Sequence, residues 1–175
     1  MLNPLGDRTS FVHDTMGRVI ATIDPLANRS TTVYDNNGNT IATVNPLGDR
    51  ATTLYDADSR VKATIDPLGN RTSFSYDDRG NQITTTNPLG DVNTTIYDDA
   101  NLTTANINPL GNTSTQVYDS AGLEIATVNP LGDRTTTVYD TNSQVAAQID
   151  ANGNRTSFTY DADGNQTAAE NVSFR

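Results

Sequence analysis

Carboxylates make up the densest chemistry in this chain of 175 residues. Asp14, Asp35, Asp56, Asp77, Asp98, Asp119, Asp140 and Asp161 recur at intervals of 21 residues, and Asp58, Asp78, Asp99 and Asp163 fall in the same segments. Aspartates gathered at one kind of turn offer oxygens to calcium, a hard cation that takes about six to eight of them. Asp161 and Asp163 are the calcium candidates, because Asp161-Ala162-Asp163-Gly164 has the spacing of a calcium loop, although the later bidentate glutamate is lacking. The plainer chemistry needs no ion: an aspartate that starts a turn caps the backbone amides of that turn. Arg18, Arg60 and Arg79 oppose these carboxylates. A second basic row, Arg8, Arg29, Arg50, Arg71, Arg134 and Arg155, suits either ties between adjacent turns or a surface for anions and glycans; Val92 and Thr113 interrupt it. Tyr34, Tyr55, Tyr76, Tyr97, Tyr118, Tyr139 and Tyr160 form a third row, read as a structural ladder packed over Val19, Val61 and Val145. Aromatic rows also stack on sugars. His13 stands in the tyrosine slot of the first repeat and has no partners for a Ser/His/Asp arrangement. No catalytic or cofactor-binding residue is assigned, and no cofactor is expected.

All these rows share one register, so what must position them is a repeat. A segment of 21 residues recurs eight times without insertion or deletion, setting Asn3, Asp24, Asn45, Asp66, Asn87, Asn108, Asn129 and Asp150 in phase. Residues 3–170 are read as eight units and residues 171–175 as the start of a ninth. Within one unit, Asp66-Pro67-Leu68-Gly69 has the residue order of a type I turn followed by a left-handed glycine. A run rich in Thr, Ser and aromatics follows, then Asp77-Asp78-Arg79-Gly80 repeats the turn signal before a second run. Two turns and two short strands make a hairpin. No window shows a helical apolar period. The expected fold is all-β: tandem hairpins forming a curved or spiralling antiparallel strip. The alternative with the same period is a parallel β-solenoid with 21-residue coils.

Parity adds a condition. Side chains alternate faces along a strand, so an odd repeat built from two three-residue loops turns equivalent residues to opposite faces. One even-length loop or one strand bulge restores the match. The Pro turns also alternate, Asn-Pro-Leu-Gly-Asp at 45–49 against Asp-Pro-Leu-Gly-Asn at 66–70, which suggests a working unit of 42 residues that keeps aspartates of adjacent turns apart.

Composition narrows function. Only 34% of residues are hydrophobic, too few for a deep core, so stability must come from ladders and cross-strand pairs. A formal charge of −10 argues against nucleic acid and anionic membranes as partners. The chain has no cysteine, hence no disulfide or thiolate site. Met1-Leu2-Asn3-Pro4 enters the first repeat directly, without a basic and apolar leader, and no apolar run is long enough to insert into a membrane.

The Tyr-Asp-x-x-Gly-Asn segments at 34–39, 76–81 and 160–165, with Asp/Asn-Pro-Leu-Gly turns between them, closely resemble the RHS/YD repeat family. That resemblance implies a hairpin strip that spirals into a hollow shell, enclosing a toxic C-terminal segment in bacteria and forming part of a cell-surface adhesion protein in animal relatives. The family's self-cleavage site and effector have no counterpart here, and eight repeats are expected to be too few to close a shell. The expected function is therefore a non-enzymatic scaffold, exported or at the cell surface, serving as a shell wall segment or a self-assembling array. Its expected partner is another copy, end to end. The alternatives are a glycan-binding repeat module and a filament subunit.

Overall fold

The structure, a computed structural model, describes residues 8–172. Asn3, Pro4 and the last three residues, 173–175, lie outside it. The described residues contain sixteen strands and no helix: β1 (Ser10–His13), β2 (Val19–Ile23), β3 (Arg29–Tyr34), β4 (Thr40–Val44), and so on in the same alternation to β15 (Arg155–Tyr160) and β16 (Gln166–Val172). All are antiparallel and their order is chain order. The parallel solenoid is thereby excluded, since no residue pairs with its equivalent 21 positions on. Thr, Val, Ile and Tyr fill the strands because branched and aromatic side chains fit a pleated, half-covered surface.

The chain divides into two compact units, Met1–Ser75 with Thr84–Asp91, and Tyr76–Ile83 with Val92–Arg175. In the first unit β2 pairs with β1 through Val12↔Ala21 and with β3 through Ala21↔Thr31, and the same two pairings recur to Ile65↔Arg71. In the second they run from Tyr97↔Thr103 to β15↔β16. β16 is longer than the other strands. Asn171 and Val172, expected at the start of a ninth turn, instead extend it opposite Thr156 and Arg155, where no proline stops the strand.

Parity is settled by a bulge. Val12 faces Ala21 but His13 faces Val19, so Ile20 is an extra residue in β2. Ile41 and Lys62 in the first unit, and Thr104, Ile125, Ala146 and Thr167 in the second, take the same place. Both turns are three-residue loops, so this bulge is what returns every repeat to the same face. Each repeat also steps along the strand. Ser10 faces Ile23 and Ile23 faces Arg29, whereas the equivalent of Ser10 is Thr31, two residues further on. An even step keeps equivalent side chains on one face.

The core is correspondingly thin. Among the described residues the buried hydrophobics are alanines alone, Ala21, Ala42 and Ala63 in the first unit and Ala105, Ala126 and Ala147 in the second. Each sits beside the bulge, on the face that carries Ile23 or its equivalent two residues on.

Candidate functional site: two turn edges and a row of tyrosine rungs

All fifteen turns from Asp14 to Asn165 close with the same two backbone bonds: the first residue's amide donates to the fifth residue's carbonyl, and the fourth residue's amide donates to the first residue's carbonyl. The fourth residue has positive φ every time. Glycine accepts that conformation without strain; Ala27 (φ 65°), Ser59 (62°), Asn101 (63°) and Ser143 (61°) adopt it despite a side chain.

The first residue caps the turn. Asp35 Oδ1 accepts the amides of Asn37 (2.9 Å) and Asn39 (2.8 Å), while Oδ2 accepts the Asn39 side-chain amide at 2.9 Å. These donors, the Asn39 side chain foremost, hold the Asp35 carboxyl below its ordinary pKa, and partial burial works the other way. Asp66, Asp77, Asp150 and Asp161 are lowered in the same manner by Asn70, Asn81, Asn154 and Asn165. At Asn45 the polarity is reversed: its Oδ1 takes the amides of Leu47 and Asp49, and its Nδ2 donates to Asp49 Oδ2 at 2.8 Å. The alternation in the Pro turns therefore keeps one Asn and one Asp inside each turn, in either order, except at Asn108–Asn112 where both are Asn, so the match is made within a turn rather than between neighbouring turns.

The twelve aspartates of the Tyr-Asp turns share one edge but do not converge. Among the described residues no group of three or more His, Cys, Asp or Glu is placed to hold a metal ion. Asp161, one of the two calcium candidates, already accepts the amides of Asp163 and Asn165 and the Asn165 side chain. Asp163 projects from the same turn and is exposed.

Along this edge the repeats are lashed together. Arg18 pairs with Asp14 at 2.7 Å, donates to the Asp35 carbonyl at 3.2 Å and lies 4.6 Å from the centre of the Tyr34 ring. In the second unit Arg79 donates to the Asp98 carbonyl at 2.9 Å and pairs with Asp99 at 2.6 Å, and Asn81 reaches Asn101 at 2.8 Å. The other basic row is different. Arg29, Arg71 and Arg155 bond the hydroxyl two residues on in their own strand, Thr31, Ser73 and Ser157, and so tie no neighbouring turn.

The tyrosines act across repeats. Tyr34 donates to the Val19 carbonyl at 3.1 Å and Tyr55 to the Thr40 carbonyl at 3.0 Å in the first unit. Tyr97, Tyr118, Tyr139 and Tyr160 reach the carbonyls of Gln82, Thr103, Glu124 and Val145 in the second. Each accepting carbonyl stands just before the bulged residue, outside the ladder that continues toward the Pro turn. At Val19 and Val145, two of the residues expected beneath the tyrosine ladder, the tyrosine hydroxyl bonds the backbone carbonyl. Burial, with Glu124 and Asp98 nearby, pushes the Tyr118 pKa up. Tyr76 occupies the same slot of its repeat and is half-buried. His13 lies at the foot of the first bulge, opposite Val19.

Surface depressions are copies of one another. One lined by Ile41, Arg50, Thr52 and Leu54 in the first unit recurs in the second as Ile125, Arg134, Thr136 and Val138. No helix among the described residues is long and apolar enough to cross a membrane.

Fold and turns together define an array of tandem β-hairpins tied by rungs. The RHS repeat family model matches residues 55–92 and 139–171, segments that carry the Tyr-Asp turn and, in the first, the Pro-turn motif. The crystal structure of TcdB2-TccC3 is similar with a TM-score of 0.71 and 19% identity, over 93% of this chain and 10% of that one. The crystal structure of TcdB2-TccC3-Cdc42 gives 0.70 and 18%, over 93% and 10%. The Photorhabdus luminescens Tc holotoxin pore gives 0.69 and 19%, again over 93% and 10%. The likeness at these identities is one of fold, and this chain spans about a tenth of the chains it matches. No curated protein matches the chain.

Proposed function

We infer that the chain is a non-enzymatic scaffold, a stretch of RHS-type shell wall that is exported or stands at the cell surface. One observation carries this reading: the repeated polar side chains are engaged by the repeat itself. Aspartates cap turns, Asn and Arg tie turns to turns, and tyrosine hydroxyls satisfy carbonyls at the bulges. The structures it resembles include a holotoxin pore, an assembly of several chains, and joining to further strands through the outer edges of β1 and β16 suits both a longer wall and a filament of copies placed end to end. Calcium at Asp161 and Asp163 has no role in this scheme, because the turn carboxylate there is already occupied by amides.

The glycan-binding alternative rests on Arg50 and Arg134, exposed beside apolar depressions that repeat along the strip. A panel of sugars titrated against the chain and against its Arg50→Ala, Arg134→Ala double variant separates the two. The scaffold reading expects no saturable binding in either. Saturable binding lost in the variant would move the function to glycan recognition.

A further inference from the structure

The Pro-turn edge carries a row of leucines in solvent. Leu26, Leu47, Leu68 and Leu89 of the first unit are 82%, 87%, 87% and 87% exposed, and Leu110 and Leu131 of the second are 85% and 87% exposed. Their own chain gives no reason for them. They hold the third position of a turn, and the opposite edge builds the same turn with Asn37, Asp58, Arg79, Asn142 and Asp163 there, with the small Ala100 and Ala121, and with one large apolar residue, Met16. The one Pro-type turn that lost its proline, Asp150 to Asn154, has Asn152 in place of leucine. Turn chemistry favours such polar residues. A large apolar side chain repeated in solvent at fixed spacing marks a contact surface.

We propose that this edge is the face on which a second copy of the chain docks, the leucine row of one first unit lying antiparallel against that of another. Charge selects the partner. The Tyr-Asp turns hold twelve aspartates against Arg18, Arg60 and Arg79, whereas the Pro-turn segments from Asp24 onward hold six aspartates and five arginines. The acidity that keeps copies apart is concentrated on the opposite edge, and the leucine edge is close to neutral. In the first unit Asp24, Asp49, Asp66 and Asp91 are interspersed with Arg29, Arg50 and Arg71, so an antiparallel copy brings both signs to the contact rather than one. Equal spacing makes the row self-complementary about a two-fold axis, the commonest symmetry of soluble dimers. Docking also strands few polar groups, because the turn amides are already capped by Asp24, Asn45, Asp66 and Asn87.

Sedimentation velocity on the full chain over a range of concentrations tests this, comparing the wild type with Leu47→Asn, Leu68→Asn. The wild type should reach a dimer that saturates, and the double variant should dissociate more than about tenfold more readily, the scale set by removing two buried leucines from each copy. Its β-type circular dichroism should not change, nor should its thermal midpoint at concentrations where both proteins are monomeric, since Leu47 and Leu68 are each 87% exposed. The chain has no cysteine, so Leu47→Cys with Leu68→Cys, positions that face each other across the two-fold axis, should form intermolecular disulfides on mild oxidation, whereas Asn37→Cys with Asp58→Cys on the other edge should not. A wild type that stays monomeric, a dimer indifferent to the double variant, or equal cross-linking from both edges would overturn the proposal. Growth into filaments without saturation, unchanged by the double variant, would place association at the strand ends instead and overturn it equally.

Discussion

The two edges of the strip are built on one turn and spend their side chains differently. Each Pro turn is closed within itself: Asp24 with Asn28, Asn45 with Asp49 and Asp66 with Asn70 bond one another, and no hydrogen bond or ion pair among the described residues leaves such a turn for the next. The Tyr-Asp edge reaches outward, through Arg18 to Asp35, Arg79 to Asp99, and the tyrosine hydroxyls to the preceding repeat. One edge holds the array together. The other, relieved of that task, is where leucines can be offered to solvent, so cohesion and contact are separated by the width of a strand.

Both edges depend on ionised caps, and acid should therefore produce the largest change. Asp24, Asp35, Asp66, Asp77, Asp150 and Asp161 are held below their ordinary pKa by Asn side chains and turn amides. A carboxyl depressed on folding contributes stability that is fully present above its unfolded value, about 3.9, and is lost as pH falls through the folded one. Thermal midpoints should hold from neutral pH to about 5 and drop steeply below about 4.

A rung is next in size. Tyr118→Ala should cost about 2–4 kcal/mol in denaturant unfolding, and Tyr118→Phe, which removes the 2.9 Å bond to the Thr103 carbonyl and keeps the ring, about 1 kcal/mol. Leu110→Asn on the other edge should leave stability unchanged, because Leu110 is exposed. Equal losses from Tyr118→Phe and Leu110→Asn would erase the division between edges.

Relief of backbone strain is smaller and has the opposite sign. Ala27→Gly in a Pro turn and Ser59→Gly in a Tyr-Asp turn, at φ 65° and 62°, should each stabilise by about 0.5–1 kcal/mol. Similar gains on both edges would confirm that the turn is shared and only its decoration differs.

Smallest is the Arg79 tie to the fully exposed Asp99. Arg79→Gln should lower the midpoint slightly at low salt and not at all in molar salt, as surface pairs do. A loss that persists in molar salt would mean that the bond to the Asp98 carbonyl carries the contact.

Much of this was legible in sequence, for reasons residing in particular residues. Asp66-Pro67-Leu68-Gly69 names its turn outright, because proline fixes φ and glycine takes the left-handed position, and an unbroken period of 21 copies that turn through the chain. The capping role of Asp14, Asp35 and their equivalents follows from the same chemistry. The parity argument required either a bulge or an even loop but could not choose, because Ile20, Ile41, Lys62 and Thr104 share no type that marks the bulge. The tyrosine hydrogen bond was hidden for a related reason: its acceptor is a backbone carbonyl, at Val19, Thr40, Gln82 or Glu124, and backbone leaves no trace in residue identity. The leucines were visible all along as Pro-Leu-Gly. Only an accessible surface distinguishes a leucine that plugs a core from one that faces water.

The account rests on repeats that are interchangeable because the bulge returns each to the same face, and deleting one repeat tests this most directly. Removing residues 108–128 joins Ile107 to the turn that begins at Asn129 and sets Tyr139 over the Thr103 carbonyl in place of Tyr118. The account predicts a folded chain with the same β-type circular dichroism, cooperative unfolding at a somewhat lower midpoint, and an intact hydroxyl bond at the new rung, read as a Tyr139→Phe cost matching that in the full chain. A deletion that unfolds the chain, or a Tyr139→Phe cost that disappears, would contradict it.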